Sequence, residues 1–406
     1  MNLQYHDQTV RVDRLQLAAL AGLMFIGTVF VDSATMANLN TASLPWYDQS
    51  WVRQILWYVL GLGAGAALCV VDYNLLARWS YVAYWATILT LLAVLIPKIG
   101  STHGWGARRW IDLGFFQFQP SEFAKLAFIL AAANFLSRPV DELKQPAIFW
   151  KGLGLLFLPF LLILKEPDLG SALVLLPTGL VMMLVAGTPR RYLIRLTGIV
   201  GLLALLFVTD IFFLPAGWWQ IPMEPYQRNR LAVYFGCDYT HFAPPNATPA
   251  ELQRLRQQER DVDYNTRQAL ISVGSGGLTG KGWRQGTQNA LGYLPRKVAH
   301  NDFIFSVIAE EEGFVGSVTV LALYAVVLFT GLRTAGQARD RLGKLVAVGA
   351  VTLIFSHVFI NIGMNIRIMP IAGVPLPLLS YGGSSVLVSL IALGLMQNIY
   401  IHRKGY

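Results

Sequence analysis

Charge is scarce in this sequence. Only 14% of its 406 residues are Asp, Glu, Lys or Arg, against roughly 25% in a soluble globular domain. That shortage excludes an ordinary soluble chain, which at this length would fold as about two or three domains. Cysteine is nearly absent as well. Cys69 lies in an apolar stretch and Cys237 in a long polar one, so neither a disulfide nor a thiolate metal site is expected. Acidic residues are outnumbered 23 to 32 by basic ones, for a net charge of +9. The basic residues punctuate apolar blocks instead of clustering on one face, which marks membrane topology and not a nucleic-acid partner. No Walker loop, dinucleotide fingerprint, HExxH or GxSxG motif is present, so ATP hydrolysis is not expected. The six histidines show no metal-ligand spacing. Fixed-period repeats and low-complexity tracts are missing too. The opening "MNLQYHDQTVRVDR" has no small-residue cleavage site and reads as a leader into a first span.

What the chain has is hydrophobic residue, 54% of the total. It comes in blocks of about 18 to 25 residues, each long enough to cross roughly 30 Å of hydrocarbon. Spans are expected at 15–36, 51–71, 79–97, 120–137, 150–164, 169–187, 194–215, 303–332, 345–366 and 378–401. The fifth is short enough to be a half-helix or a strongly packed segment. This predicts an all-α integral membrane protein of about ten transmembrane helices, a single polytopic unit over 1–406. Orientation comes from the basic residues between spans. One side holds Arg11, Arg14, Arg78, Arg138, Lys144, Lys151, Arg190, Arg191, Arg195, Arg333, Arg339, Arg341, Lys344, Arg403 and Lys404. The short segments of the other hold Arg53, Lys98, Arg108, Arg109, Lys165 and Arg367. Both termini are therefore expected in the cytoplasm. Residues 216–302 form a long extracytoplasmic loop between spans seven and eight. Within it Thr248 and Glu251 make a capping-box pattern for a helix, and "SVGSGGLTGKGW" must be a turn or a close backbone approach. A loop of this length is usually functional.

Four stretches carry candidate chemistry. In "HGWGARRWIDLGFFQFQPSEFAK", Arg109 and Trp110 stand at an interface, where an anchor role is the bland alternative. Gln119, Glu122 and Lys125 follow on the next helix at spacings of three, which would put them on one face. Ionisable residues at membrane depth are costly and mark function by default, although Glu122 and Lys125 could simply pair. In "LKEPDLGSALV", Asp168 is placed to cap a helix, to pair with Lys125 or to face a cavity. In "LGYLPRKVAHNDFIFSVIAEEEG", Asp302 is the last polar residue before an apolar run, beside His300 and Asn301. It is either an N-cap or a carboxylate at a low-dielectric boundary, where burial would bring it toward general-base range. In "NIGMNIRIMPIAGVPLPLLSYGGSS", Pro370, Pro375 and Pro377 with Gly382 and Gly383 imply a broken helix beside a cavity.

Together these stretches resemble the SEDS family (shape, elongation, division and sporulation) over nearly the whole chain. The resemblance rests on "GARRWIDLG", "FQPSEFAK", "EPDLGSA", "YNTRQALISVGSGGLTGKGW", "HNDFIFSVIAEE" and "PIAGVPLPLLSYGGSS", the last closest to the elongation member RodA. It implies a peptidoglycan glycosyltransferase that polymerises lipid II outside a cell inner membrane, releases undecaprenyl pyrophosphate and works with a class B penicillin-binding transpeptidase. It places the essential aspartate on Asp302 and the family's outer-loop Trp on Trp110. Asn301 stands where the family more often has Thr, and the spacer before His300 is slightly long. Asp302 would act as general base. Arg109, Lys125 and Lys281 are the candidate cations for the leaving pyrophosphate, with magnesium or manganese as a candidate helper. Gln119, Glu122, Asp168 and His300 complete the expected substrate-binding set. The rival readings are a transporter that flips lipid-linked precursor and a scaffold that only docks a transpeptidase.

Overall fold

The computed structural model describes residues 12–36, 45–97, 99–101, 108–114, 116–213, 234–236, 248–294 and 298–403. The helices are α1 (Arg14–Thr35), α2 (Ser50–Val70), α3 (Tyr73–Arg78), α4 (Ser80–Val94), α5 (Pro120–Leu136), α6 (Val140–Leu143), α7 (Pro146–Lys165), α8 (Leu169–Ala186) and α9 (Arg190–Phe213). Within the long loop lie α10 (Pro249–Ser275) and α11 (Thr287–Ala290), and after it come α12 (Ile304–Gln337), α13 (Arg341–Asn365) and α14 (Gly383–Ile401). Eight of them, α1, α2, α7, α8, α9, α12, α13 and α14, are long and apolar enough to cross a membrane. The shorter α4 and α5, of 15 and 17 residues, run antiparallel between them. A three-stranded antiparallel sheet joins these two: β1 (Gly100–Ser101), β2 (Trp110–Asp112) and β3 (Gln117–Phe118).

Local chemistry sets the boundaries. Asp13 starts α1 by accepting from the Leu15 and Gln16 amides, and Gly187 in the left-handed region ends α8. The capping box at Thr248 and Glu251 opens α10 as expected. Three expectations need correction. The fifth span is not a half-helix but the full 20-residue α7, with Pro146 in its first turn and Pro159 tolerated inside. The last span begins at Gly383, not at 378. The eighth continues to Gln337 and is broken at Gly313, which takes φ 64 and ψ −155. Cys237 and residues 216–233, 237–247 and 295–297 of the long loop lie outside the described residues.

Residues 366–382 are irregular, yet Ala372, Val374 and the run 376–380 are buried. Non-helical backbone at membrane depth is stable only when other groups satisfy it. Here side chains from three helices do so. From α13, Asn361 donates to the Val374 carbonyl at 2.7 Å, and His357 bonds the Pro375 carbonyl at 3.2 Å. From α12, Tyr324 bonds the Pro377 carbonyl at 2.5 Å. From α2, Tyr58 takes the Leu378 carbonyl, and Gln54 donates to Ser380 at 3.1 Å. Arg367, in the left-handed region at φ 62, ends α13 with the Ile368 amide donating back to the Gly363 carbonyl at 2.8 Å, and a polar cage holds the irregular backbone beyond it.

The α2–α14 pair packs backbone on backbone. A Cβ on Gly394 would lie 2.6 Å from Gly65 Cα and 3.0 Å from its carbonyl oxygen. Gly394→Ala is therefore expected to cost about 1–3 kcal/mol by overpacking, read as a lower unfolding temperature in detergent.

Candidate functional site

The candidate residues gather at the end of the bundle where α5, α8, α12 and α14 begin. Arg109 enters from the strand side: its Nε donates to the Glu166 carbonyl at 3.3 Å, and Nη2 bonds the Pro167 carbonyl. Its Nη1 lies 3.9 Å from Asp168 Oδ1. Asp168 caps α8 by accepting from the Ser171 amide at 3.2 Å. It also accepts from Ser121 at 3.2 Å and from Gln119 Nε2 at 3.3 Å. Burial pushes the Asp168 carboxyl up, but Arg109 and Lys125 outweigh it and hold it below the usual range. Capping and charge pairing thus coexist, with Arg109 and not Lys125 as the ion-pair partner. Trp110 lies half-buried in β2, opposite Ser101.

Gln119 is not on the α5 face but at its non-helical N-cap position. Glu122 and Lys125 do share that face and pair at 2.7 Å, both fully buried. Lys125 Nζ also lies 3.0 Å from His357 Nε2.

Asp302 sits half-buried in a turn before α12, its amide donating to the Val298 carbonyl at 3.0 Å. The N-cap of α12 is Phe303, so Asp302 stands one residue ahead of the cap position. The Asp302 carbonyl accepts from Asn361 Nδ2 at 3.0 Å and Asn365 Nδ2 at 3.1 Å. The neighbouring His300 carbonyl accepts from the Tyr381 amide at 2.9 Å, and the Asn301 carbonyl from Ser380 Oγ at 2.5 Å. Burial lowers the His300 pKa to about 4, so it is neutral near pH 7 and offers a substrate no positive charge. The broken segment thereby ties the Asp302 turn to its neighbours. A Cβ on Gly170 would lie 2.4 Å from the Ala372 carbonyl, which shows how closely the start of α8 approaches the same segment.

Lys281 does not join Arg109 and Lys125. It pairs with Glu310 at 2.6 Å and Thr287 at 2.7 Å, about 12 Å along α12 from Asp302 on the 1.5 Å rise per residue. Its charge is spent on holding a hairpin against the helix. Gly276 approaches α12 rather than a ligand, since a Cβ there would meet the Ala309 carbonyl at 1.9 Å. Glu310 Oε1 also takes the Gln288 amide at 3.0 Å. Glu311 takes Ser33 at 2.5 Å and the Arg284 amide at 3.1 Å. Among the described residues no group of three or more His, Cys, Asp or Glu could hold a metal ion.

Sequence reading passes over Glu166, although it stands two residues before Asp168. Its carboxyl is wholly buried, and neither oxygen has a hydrogen-bond partner. Burial, aided by the Asp168 charge and opposed by Arg109, pushes its pKa up to about 9. The folded chain therefore keeps a proton that the unfolded chain releases near pH 4.5. The stability this gives is greatest at low pH and is lost as pH rises toward 9, by at most about 1.4 kcal/mol per unit. Glu166→Gln mimics the neutral acid. Its unfolding temperature is expected to gain on the parent between about pH 6 and about pH 9. A gap that stays constant with pH would mean the carboxyl is ionised throughout.

The chain matches the family model for the FtsW, RodA and SpoVE cell cycle proteins over residues 13–405. It is 34% identical over 397 residues to the peptidoglycan glycosyltransferase MrdB of Escherichia coli K12, covering 97% of this chain and 95% of that one. Stage V sporulation protein E of Bacillus subtilis 168 is 34% identical over 393 residues, covering 93% and 96%. Among solved structures, a chain from a peptidoglycan synthase complex that coordinates polymerization and crosslinking aligns with a TM-score of 0.72 at 28% identity, covering 97% and 99%. The rod shape determining protein RodA of Thermus thermophilus aligns with a TM-score of 0.64 at 27% identity, covering 97% and 98%.

Proposed function

This chain belongs to the FtsW/RodA/SpoVE family and is a membrane-embedded peptidoglycan glycosyltransferase, and we propose that it polymerises lipid II, releasing undecaprenyl pyrophosphate. The observation that carries the reading is a half-buried carboxylate, Asp302, at the same end of the bundle as Arg109 and Asp168. A sugar hydroxyl is a poor nucleophile at neutral pH, so Asp302 takes its proton as the GlcNAc oxygen attacks the MurNAc anomeric carbon. One displacement inverts the α-linked donor to a β-1,4 bond. Arg109, whose side chain is 14% exposed, is the cation placed to meet the leaving pyrophosphate. Lys125, with no exposed side-chain surface, acts from behind the site through its buried neighbours. Among the described residues no His, Cys, Asp or Glu cluster fits a magnesium or manganese ion, so the charge of the leaving group is assigned to Arg109.

We place the Asp302 end on the outer face of a cell inner membrane, with both termini in the cytoplasm. The partner we assign is a class B penicillin-binding transpeptidase, and the role cell elongation in the manner of RodA. The end opposite Asp302 favours a polymerase over a flippase. There Asp13 binds Arg333 at 2.5 Å, its amide donates to Gln397 at 3.0 Å, and Arg339 holds Asp72 at 2.7 Å. A transporter would have to break this lattice in every cycle. The test is polymer formation from purified lipid II by the protein copurified with its transpeptidase. A flippase would move lipid II across vesicles and make no glycan.

A further inference from the structure

Helix α13 is buried along nearly its whole length, yet one stripe of it is polar: His357, Asn361 and Asn365, all under 5% exposed. Spaced four apart, they lie one above the other on a single face. Buried polar groups cost free energy unless each is bonded, and each of these is. Pro375 offers only a carbonyl, so His357 Nδ1 carries the hydrogen in that 3.2 Å contact, and Nε2 accepts from Lys125 at 3.0 Å. Asn365 Nδ2 spans the Asp302 carbonyl at 3.1 Å and the Asn361 carbonyl at 2.9 Å, while its Oδ1 takes Ser306 at 2.5 Å. One helix face therefore grips the buried ammonium at its lower step and the turn bearing the carboxylate at its upper two.

We propose that the His357–Asn361–Asn365 stripe is a positioning device that sets Asp302 and Lys125 in one fixed register for glycosyl transfer. This rests on the reading of Asp302 as the base. None of the three touches the reacting atoms. Their work is to stop the Asp302 turn from drifting, and a misplacement of about 1 Å in an active site can cost about 100-fold in rate.

The test is steady-state polymerisation of lipid II by the protein–transpeptidase complex carrying His357→Leu, His357→Gln or Asn361→Ala. A glutamine amide can accept from Lys125 and donate to Pro375 together, so His357→Gln should keep most of the rate. His357→Leu should lower kcat at least about tenfold with KM within about twofold. Asn361→Ala removes a donor from the Asp302 carbonyl, and so a partial positive charge near the carboxylate. It should lower kcat and move the acid limb of the pH–rate profile to higher pH. Should His357→Leu fail to fold, Asn361→Ala carries the test alone. Unchanged kcat and pH profile in the folded variants overturn the proposal. A kcat loss that merely tracks lost thermal stability, with Gln no better than Leu, also overturns it. If Asp302→Asn itself keeps full activity, the underlying reading has failed instead, and the stripe variants are not needed to show it.

Discussion

Asp302→Asn is expected to lower polymerisation of lipid II by about 100- to 10,000-fold, the usual worth of a positioned general base, while leaving the protein folded. The structure gives grounds for both halves. The turn is held by backbone groups: its amide bonds Val298, and its carbonyl accepts from Asn361 and Asn365. An asparagine side chain changes none of these bonds and keeps the shape of the carboxylate while removing its charge. The measurement is glycan length and rate at saturating lipid II, with unfolding temperature as control. A loss confined to KM would make Asp302 a binding group and not the base. Full activity would remove it from the chemistry.

The second large effect concerns Glu122 and Lys125. Breaking a buried ion pair from one side leaves a charge stranded in low dielectric, at a cost of about 3–5 kcal/mol. Lys125→Met should therefore lower the unfolding temperature sharply. Replacing both partners, as Glu122→Leu with Lys125→Met, removes the stranded charge and should recover most of the stability. Activity separates the two roles the pair could have. If it serves only packing, the double variant regains the rate along with the stability. If the ammonium also acts through His357 and on the Asp168 carboxylate, whose ionisation it favours, the double variant folds but stays slow, and that is the expected result.

Spans built from uninterrupted apolar runs are legible in the sequence to within a few residues, because hydropathy alone forces them. Where polar and special residues meet, hydropathy misleads. The start of α7 is masked by Lys151 and Pro146, although a lysine near a helix end can reach water and proline suits a first turn. The apolar "LPLLS" looks like the start of α14 but is loop, because its carbonyls are satisfied from α2 and α12. No local pattern reports such a distant donor. The small sheet escapes notice because strands of two and three residues have no period to detect. At the site, the pairing of Glu122 with Lys125 is set by spacing, and Asp168 fills the cap its position suggests. The pairing of Lys281 is not legible in the sequence because its partner Glu310 stands 29 residues away. His357 shows no metal-ligand spacing, yet its spacing to Asn361 and Asn365 is there to be read.

The break at Gly313 divides α12 into a short rod below Asp302 and a long one beyond it. The segment 276–290 is strapped to the joint through Lys281–Glu310 and the Arg284 amide on Glu311, and α1 reaches the same joint through Ser33 on Glu311. A load applied to the long rod by a neighbouring protein would turn about this fulcrum instead of pushing straight along the axis. In mechanical terms the 34-residue helix is a crank with a braced elbow.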